Sequence, residues 1–178
     1  KVQLIAKKLG VSRSSFYFFF KNTSDLQMQM LELWLKKNTG PIIERALRPS
    51  DTITQSILNV FECWVDSSLF DSQLDIAVRF WAKRSKAVNA VVRQADDQRV
   101  DALTKMFTRH GYADEEALTR ARVLYFTQIG HYALEVPESM KLRFTHVESY
   151  VLTFSGCPLP KEQMQAFRKF GRRFYPDI

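Results

Sequence analysis

Apolar residues recur every three or four positions along nearly the whole chain. This spacing is typical of amphipathic helices, and no stretch of useful length alternates apolar and polar residues as a strand would. Gly and Pro, six of each, fall mostly between the periodic segments. The pattern therefore predicts an all-α protein, with helices at about residues 1–9, 13–19, 24–39, 51–69, 73–84, 86–110, 114–135, 138–155 and 161–174.

The helix predicted over 24–39 has apolar residues on two sides. One stripe contains Leu26, Met30, Leu33 and Trp34, and the other contains Met28, Leu31 and Leu35. A helix that is apolar on two sides is packed on two sides. We therefore expect it to connect short N-terminal helices to a larger helical bundle, with a turn at Gly40-Pro41 and a domain boundary near residue 45.

The first two predicted helices have the features of a helix-turn-helix. Ile5, Ala6 and Leu9 share one face of the first helix. Gly10 permits the left-handed backbone of a tight turn, and Ser12 can cap the second helix. That second helix begins with an arginine and short hydroxyl side chains, which are suited to contact phosphates and base edges in a DNA major groove.

The segment IAKKLGVSRSSFYFFFKNTSDL, from Ile5 to Leu26, closely resembles the DNA-binding signature of the tetracycline-repressor (TetR) family. The resemblance implies a helix-turn-helix DNA-binding domain over residues 1–45, connecting helix included, with the family's first helix lying before Lys1. It also implies a ligand-binding and dimerisation domain over residues 46–178. The positions that would face DNA are Gln3, Arg13, Ser14, Ser15, Tyr17, Phe19 and Lys21, with Tyr17 and Lys21 at the phosphate backbone.

The resemblance continues more faintly into the second domain, through the order of the helices and the run from Ala121 to Gly130. Members of this family bind a ligand among the middle helices and dimerise through the last two long ones, which here are 114–135 and 138–155. The dimer interface implied in this way includes Val123, Thr127, Gly130 and Leu134.

Aromatic residues are abundant in the predicted bundle, and some of them are expected to line an apolar cavity. A polar side chain beside them would orient a polar group of the ligand. The candidate ligand-binding residues are Phe61, Trp64, Trp81, Phe107, Tyr125 and Gln128.

Charge is distributed unevenly along the chain. Lys and Arg number 26 against 19 Asp and Glu, for a net charge of +7. Residues 1–48 have nine basic and three acidic side chains, whereas residues 49–160 have 12 and 14. A basic excess in the N-terminal helices suits an anionic partner such as DNA.

The sequence has no signal of a metal site, a membrane-spanning segment or an enzyme active site. Cys63 and Cys157 are far apart and no His lies in a metal-ligand motif, so we expect neither a metal nor a cofactor. No apolar run reaches the roughly 20 residues that cross a bilayer, so we expect a cytoplasmic protein without membrane attachment. The sequence has no recognisable pairing of a nucleophile with a general base and no Gly-rich phosphate loop, so we expect no enzyme activity.

These features together indicate a transcriptional regulator, in which a homodimer represses by binding a double-stranded DNA operator and a small apolar or amphipathic effector weakens the binding. Two other interpretations stay open. One is a TetR-like interaction module without operator recognition, because Thr23 stands where the family usually has Lys and Phe19 stands where His or Tyr is common. The other is an enzyme built on a helical bundle.

Overall fold

The computed structural model describes residues 2–178, which form eleven α-helices and one π-helical segment, Leu35–Thr39, between the third and fourth helices. The helices are α1 (Val2–Leu9), α2 (Arg13–Phe19), α3 (Thr23–Trp34), α4 (Gly40–Leu47), α5 (Ile53–Val65), α6 (Ser72–Ala82), α7 (Lys86–Arg109), α8 (Asp114–Ala133), α9 (Met140–Thr145), α10 (Val147–Ser155) and α11 (Lys161–Gly171). No strand occurs in residues 2–178, so the all-α prediction is confirmed. In this part of the chain, none of the helices has both the length and the apolar composition that a membrane crossing requires.

Buried apolar side chains form three clusters. The largest lies among α5, α7, α8, α10 and α11 and contains Ile57, Phe107 and Leu124, all fully buried. A second cluster lies among α3, α6 and the first half of α7 and contains Trp34. The third is small and surrounds Phe70. The main core thus lies in the bundle, and α3 contributes to the second cluster through Trp34.

The chain is helical without interruption from Thr23 to Leu47, so the turn predicted at Gly40-Pro41 is wrong. Pro41 lies in the first turn of α4, where the missing N–H of proline is tolerated. The π-helical segment precedes it, and the Gly40 N–H donates to the Leu35 carbonyl five residues back. The domain boundary predicted near residue 45 falls within α4, which packs on α5 and α7.

Both predicted apolar stripes of this helix are partly packed and partly exposed. Trp34 is completely buried and packs against α6. Leu31 and Leu35 of the second stripe pack against the cluster around Trp34. Met30 and Leu33, which share the stripe of Trp34, are 40% and 55% exposed, and Met28 of the second stripe is 57% exposed. Helices α1 and α2 pack on each other, and α3 has more extensive contacts with α6 than with either of them.

Candidate functional site

The turn between α1 and α2 depends on two residues. Gly10 has a φ of +67°, a left-handed conformation that favours glycine. The Ser12 hydroxyl accepts a hydrogen bond from the Ser15 N–H at 3.0 Å and so caps α2. Both local predictions are confirmed, and together they fix where α2 starts after α1.

All of the residues that the family resemblance assigns to DNA are exposed, namely Gln3, Arg13, Ser14, Ser15, Tyr17, Phe19 and Lys21. The Arg13 guanidinium carbon lies 5.7 Å from the centre of the Tyr17 ring, so these two side chains form one patch on α2. The hydroxyls of Ser14 and Ser15 each lie 2.8 Å from the Ser12 hydroxyl. The two serine hydroxyls are therefore held at the start of the helix, and Arg13 and Tyr17 extend along it.

Two phenylalanines of α2 are unusually accessible. Phe18 is 82% exposed and Phe19 is 67% exposed, and their rings meet edge to face with centres 5.0 Å apart. Phe16, by contrast, is 5% exposed and packs in the interior of this helix pair. The exposed pair adds an apolar area beside the polar patch of Arg13 and Tyr17.

A cleft opens in the bundle among α5, α8, α9, α10 and α11. Its empty volume is about 590 Å³ with the open mouth included, but only about 60 Å³ of this admits the centre of a water molecule, so the cleft is narrow. Most of its wall is apolar and aromatic, and includes Phe61, Trp64, Leu124, Phe144, Phe154 and Phe167. Its polar residues include Thr127, Gln128, His131, Glu138 and Arg143.

Half of the predicted ligand-binding residues line this cleft, and half lie elsewhere. Phe61, Trp64 and Gln128 line it. Phe107 is enclosed in the largest apolar cluster, Trp81 packs against the cluster around Trp34, and the Tyr125 hydroxyl belongs to a buried ionic network. The structure therefore does not bring all six residues together in one pocket.

The contribution of α9 to the cleft was not predicted from the sequence. One helix was predicted over 138–155, but the chain forms α9 and α10, which meet at His146. Met140, Arg143 and Phe144 of α9 line the cleft. The sequence signal for this helix was the apolar spacing of Met140, Phe144 and Val147, with Arg143 next to Phe144.

The polar residues of the cleft interact at its end. Gln128 is 8% exposed, and its Oε1 accepts a hydrogen bond from Arg143 Nη2 at 3.3 Å. The Nδ1 atom of His131 lies 3.9 Å from Glu138 Oε2. Burial lowers the pKa of His131, the positive charge of Arg143 lowers it further, and Glu138 opposes both effects. The imidazole is therefore mainly neutral at neutral pH.

A buried ionic network lies where the π-helical segment, α3, α6, α7 and α8 meet. The Asp75 side chain has no exposed surface. Its Oδ1 accepts from Trp34 Nε1 at 2.8 Å and from Arg99 Nη1 at 3.3 Å, and its Oδ2 accepts from Arg79 Nε at 2.7 Å. Arg99 also donates to the Thr39 hydroxyl at 2.9 Å. The network thus ties both ends of the π-helical segment to the bundle.

Tyr125 joins this network from α8. Its hydroxyl accepts from Arg99 Nη1 at 2.7 Å and from Arg79 Nη2 at 2.8 Å, and it donates to Asp96 Oδ1 at 2.7 Å. Burial raises the pKa of Tyr125 far above its usual value, so the hydroxyl keeps its proton. Because Leu124, its neighbour on α8, lines the cleft, the network begins one residue from the cleft wall.

The residues predicted for a dimer interface lie along α8 and at its C-terminal end. Val123 is 45% exposed, Leu134 is 76% exposed, and Thr127 is also exposed. A Cβ atom added at Gly130 would meet no atom within 4 Å. Phe126, 57% exposed, adds to this apolar face, which no described part of the chain covers.

No protein-family model matches this chain, and neither a curated protein nor a solved structure matches it. Its function is therefore inferred from its own residues and contacts.

Proposed function

We propose that this protein is a DNA-binding transcriptional regulator of the TetR type, which represses by binding an operator and is released by a small effector. One observation carries the proposal. The signature segment from Ile5 to Leu26 contains most of α1, all of α2 and the first turn of α3. The turn between α1 and α2 is at Gly10, Ser12 caps α2, and the Arg13 and Tyr17 side chains lie together on the exposed surface. We also propose a cytoplasmic location, since the protein must meet its operator there.

In this proposal the two exposed side chains of α2 have different roles. Arg13 reads a base edge in the major groove, where a guanidinium can donate two hydrogen bonds to guanine. Tyr17 and Lys21 contact phosphates, which orient the helix but do not distinguish sequences. Neutralising phosphates releases counterions, so the affinity falls steeply as the salt concentration rises.

The experiment uses the protein and a duplex that it selects from a random library. Fluorescence anisotropy then gives the affinity for the selected duplex and for a scrambled one at several salt concentrations. Arg13→Ala should reduce discrimination between the two by about 5-fold to 150-fold, as expected for loss of a base contact worth about 1–3 kcal/mol. Tyr17→Phe should weaken binding to both duplexes equally.

Arg93→Ala is the matched control, because it removes one positive charge from an exposed position on α7. It should change the affinity slightly and leave discrimination unchanged. Equal discrimination by Arg13→Ala and Arg93→Ala would remove Arg13 from base recognition. Absence of salt-dependent binding to any duplex would refute the DNA-binding proposal.

The proposal includes a homodimer, because a two-fold symmetric operator requires two recognition helices. The exposed apolar face of Val123 and Phe126 on α8, with Leu134 at its C-terminal end, supports this assembly. A second copy would cover it, and Gly130 would then allow a close approach of the two helices.

The buried ionic network supports effector control. It joins Tyr125 on α8 to Trp34 and Thr39, which lie on either end of the π-helical segment. A ligand that displaces α8 in the cleft would shift this segment, and with it α3 and the helices before it. Coupling between two such sites is typically about 1–3 kcal/mol and must be reciprocal, so operator DNA weakens effector binding to the same degree.

A second candidate function has one observation in its favour. Phe18 and Phe19 form an exposed aromatic pair on α2, and Phe19 is itself one of the positions assigned to DNA. Exposed aromatic residues are frequent in protein–protein interfaces. A protein that binds no duplex in the experiment above, but loses a protein partner on Phe19→Ser, would be an interaction module.

A further inference from the structure

The cleft in the bundle has one buried donor with no partner. Gln128 Nε2 is buried and makes no hydrogen bond with any described residue. The side chain cannot simply be turned over, because its Oε1 accepts from Arg143 and a guanidinium only donates. A buried polar group is nearly always hydrogen-bonded. Burial raises the pKa of the nearby Tyr132, and its interactions with Arg143 and Gln128 oppose this, so the Tyr132 hydroxyl lies close to the amide. It is not within hydrogen-bond geometry of Gln128 Nε2, and an acceptor on a ligand would satisfy this N–H group.

The cleft also contains a positive charge without a close counter-ion. No carboxylate in residues 2–178 lies within 4.0 Å of the Arg143 guanidinium nitrogens. Glu138 is the acidic residue that lines the cleft, and it lies beside His131. Arg143 and Gln128 therefore offer a guanidinium and an amide donor at the same end of the cleft.

The apolar walls of the cleft determine the shape of ligand that fits. Phe61 is 8% exposed. The centre of its ring lies 5.2 Å from the ring centre of Trp64, 6.3 Å from that of Phe154 and 6.4 Å from that of Phe167. These rings form one continuous apolar wall. The narrow space between this wall and α8 suits a flat ring or an unbranched chain.

We propose that the cleft binds a small carboxylic acid with an aromatic or unbranched aliphatic body, whose carboxylate accepts hydrogen bonds from Gln128 and Arg143. This inference rests on the effector part of the proposed function and gives the chemical class of the effector. Charge-assisted hydrogen bonds are the stronger ones, so the carboxylate should bind better than a neutral amide of the same shape.

The test is isothermal titration calorimetry without DNA, using phenylpropanoate and decanoate together with the amide of each. We expect each acid to bind about tenfold more tightly than its amide. Arg143→Gln should weaken the acid about tenfold and the amide much less. Gln128→Met should weaken both, because it removes the amide donor and keeps the shape.

Arg122→Gln is the charge-matched control, since Arg122 is exposed on α8 and does not line the cleft. It should leave the affinities of acid and amide unchanged. Amide binding by Arg143→Gln, together with an unchanged circular dichroism spectrum, would show that the variant is folded.

Equal affinity of acid and amide for the wild type, or an equal loss in Arg143→Gln and Arg122→Gln, would overturn the proposal. So would absence of binding by either acid at millimolar concentration. Because no DNA is present, a failure here is separate from a failure of operator binding, and an acid that binds without releasing DNA would contradict only the repressor proposal.

Discussion

Asp75→Asn should destabilise the fold strongly, because it removes one charge from a balanced buried group. Asp75 and Asp96 face the guanidinium groups of Arg79 and Arg99, so the four charges cancel. Asparagine keeps an oxygen for the Trp34 N–H but leaves one positive charge in excess. Removing one partner of a buried ion pair typically costs about 3–5 kcal/mol, which is a large part of a typical stability of about 5–15 kcal/mol.

The measurement is urea unfolding at neutral pH, followed by tryptophan fluorescence and far-UV circular dichroism. With a urea dependence of about 2 kcal/mol/M, the midpoint should fall by about 2 M. Asp101→Asn is the matched control, because Asp101 also pairs with a basic residue, Lys105, at 2.7 Å but is 60% exposed. Its effect should stay within about 0.5 kcal/mol. A loss for Asp75→Asn no larger than that for Asp101→Asn would refute the reasoning.

Gly130→Leu should weaken the proposed dimer without damaging the protomer, because a side chain at this position meets open space within the protomer. Gly40→Leu is the control, since it adds the same side chain at another open helical position. Light scattering should detect more monomer for Gly130→Leu than for Gly40→Leu. A wild type that is monomeric at micromolar concentration would contradict the interface. Burial alone would raise the pKa of Asp96, but its hydrogen bonds with Arg79 outweigh this and hold that pKa below its usual value. The stability that Asp96 adds is therefore complete above the unfolded pKa of about 3.9 and is lost as the pH falls through the lower folded value. In urea unfolding at a series of pH values, the difference in unfolding free energy between wild type and Asp96→Asn should shrink below about pH 4, and a constant difference would contradict this.

The helices and the first turn could be predicted because they depend on neighbouring residues. Apolar spacing identifies an amphipathic helix wherever it lies in the fold. The left-handed Gly10 and the Ser12 cap depend likewise on a few adjacent atoms. Pro41 misled the prediction because proline fits the first turn of a helix as well as it fits a loop, and the π-helical segment before it has no sequence signal of its own.

The composition of the cleft could not be predicted, because it depends on contacts between distant parts of the chain. Phe61 and Phe107 look alike in the sequence, yet one lines the cleft and the other is enclosed in the core. The break between α9 and α10 that brings Arg143 to the cleft contains neither Gly nor Pro. Asp75 and Arg99 are 24 residues apart in the sequence. From the sequence alone, each is expected to be an exposed charge, and only the fold shows that they are buried together.

The π-helical segment determines how the side chains of α3 are rotated about the helix axis relative to those of α4. In an α-helix, each residue added or removed turns everything beyond it by about 100°. The segment is closed by a hydrogen bond to the fifth residue back, so its turn is wider than an α-helical one. Trp34 and Thr39 are both held by the buried network. A change in the number of residues between them should therefore disturb the network more than a substitution of the exposed Lys36 does.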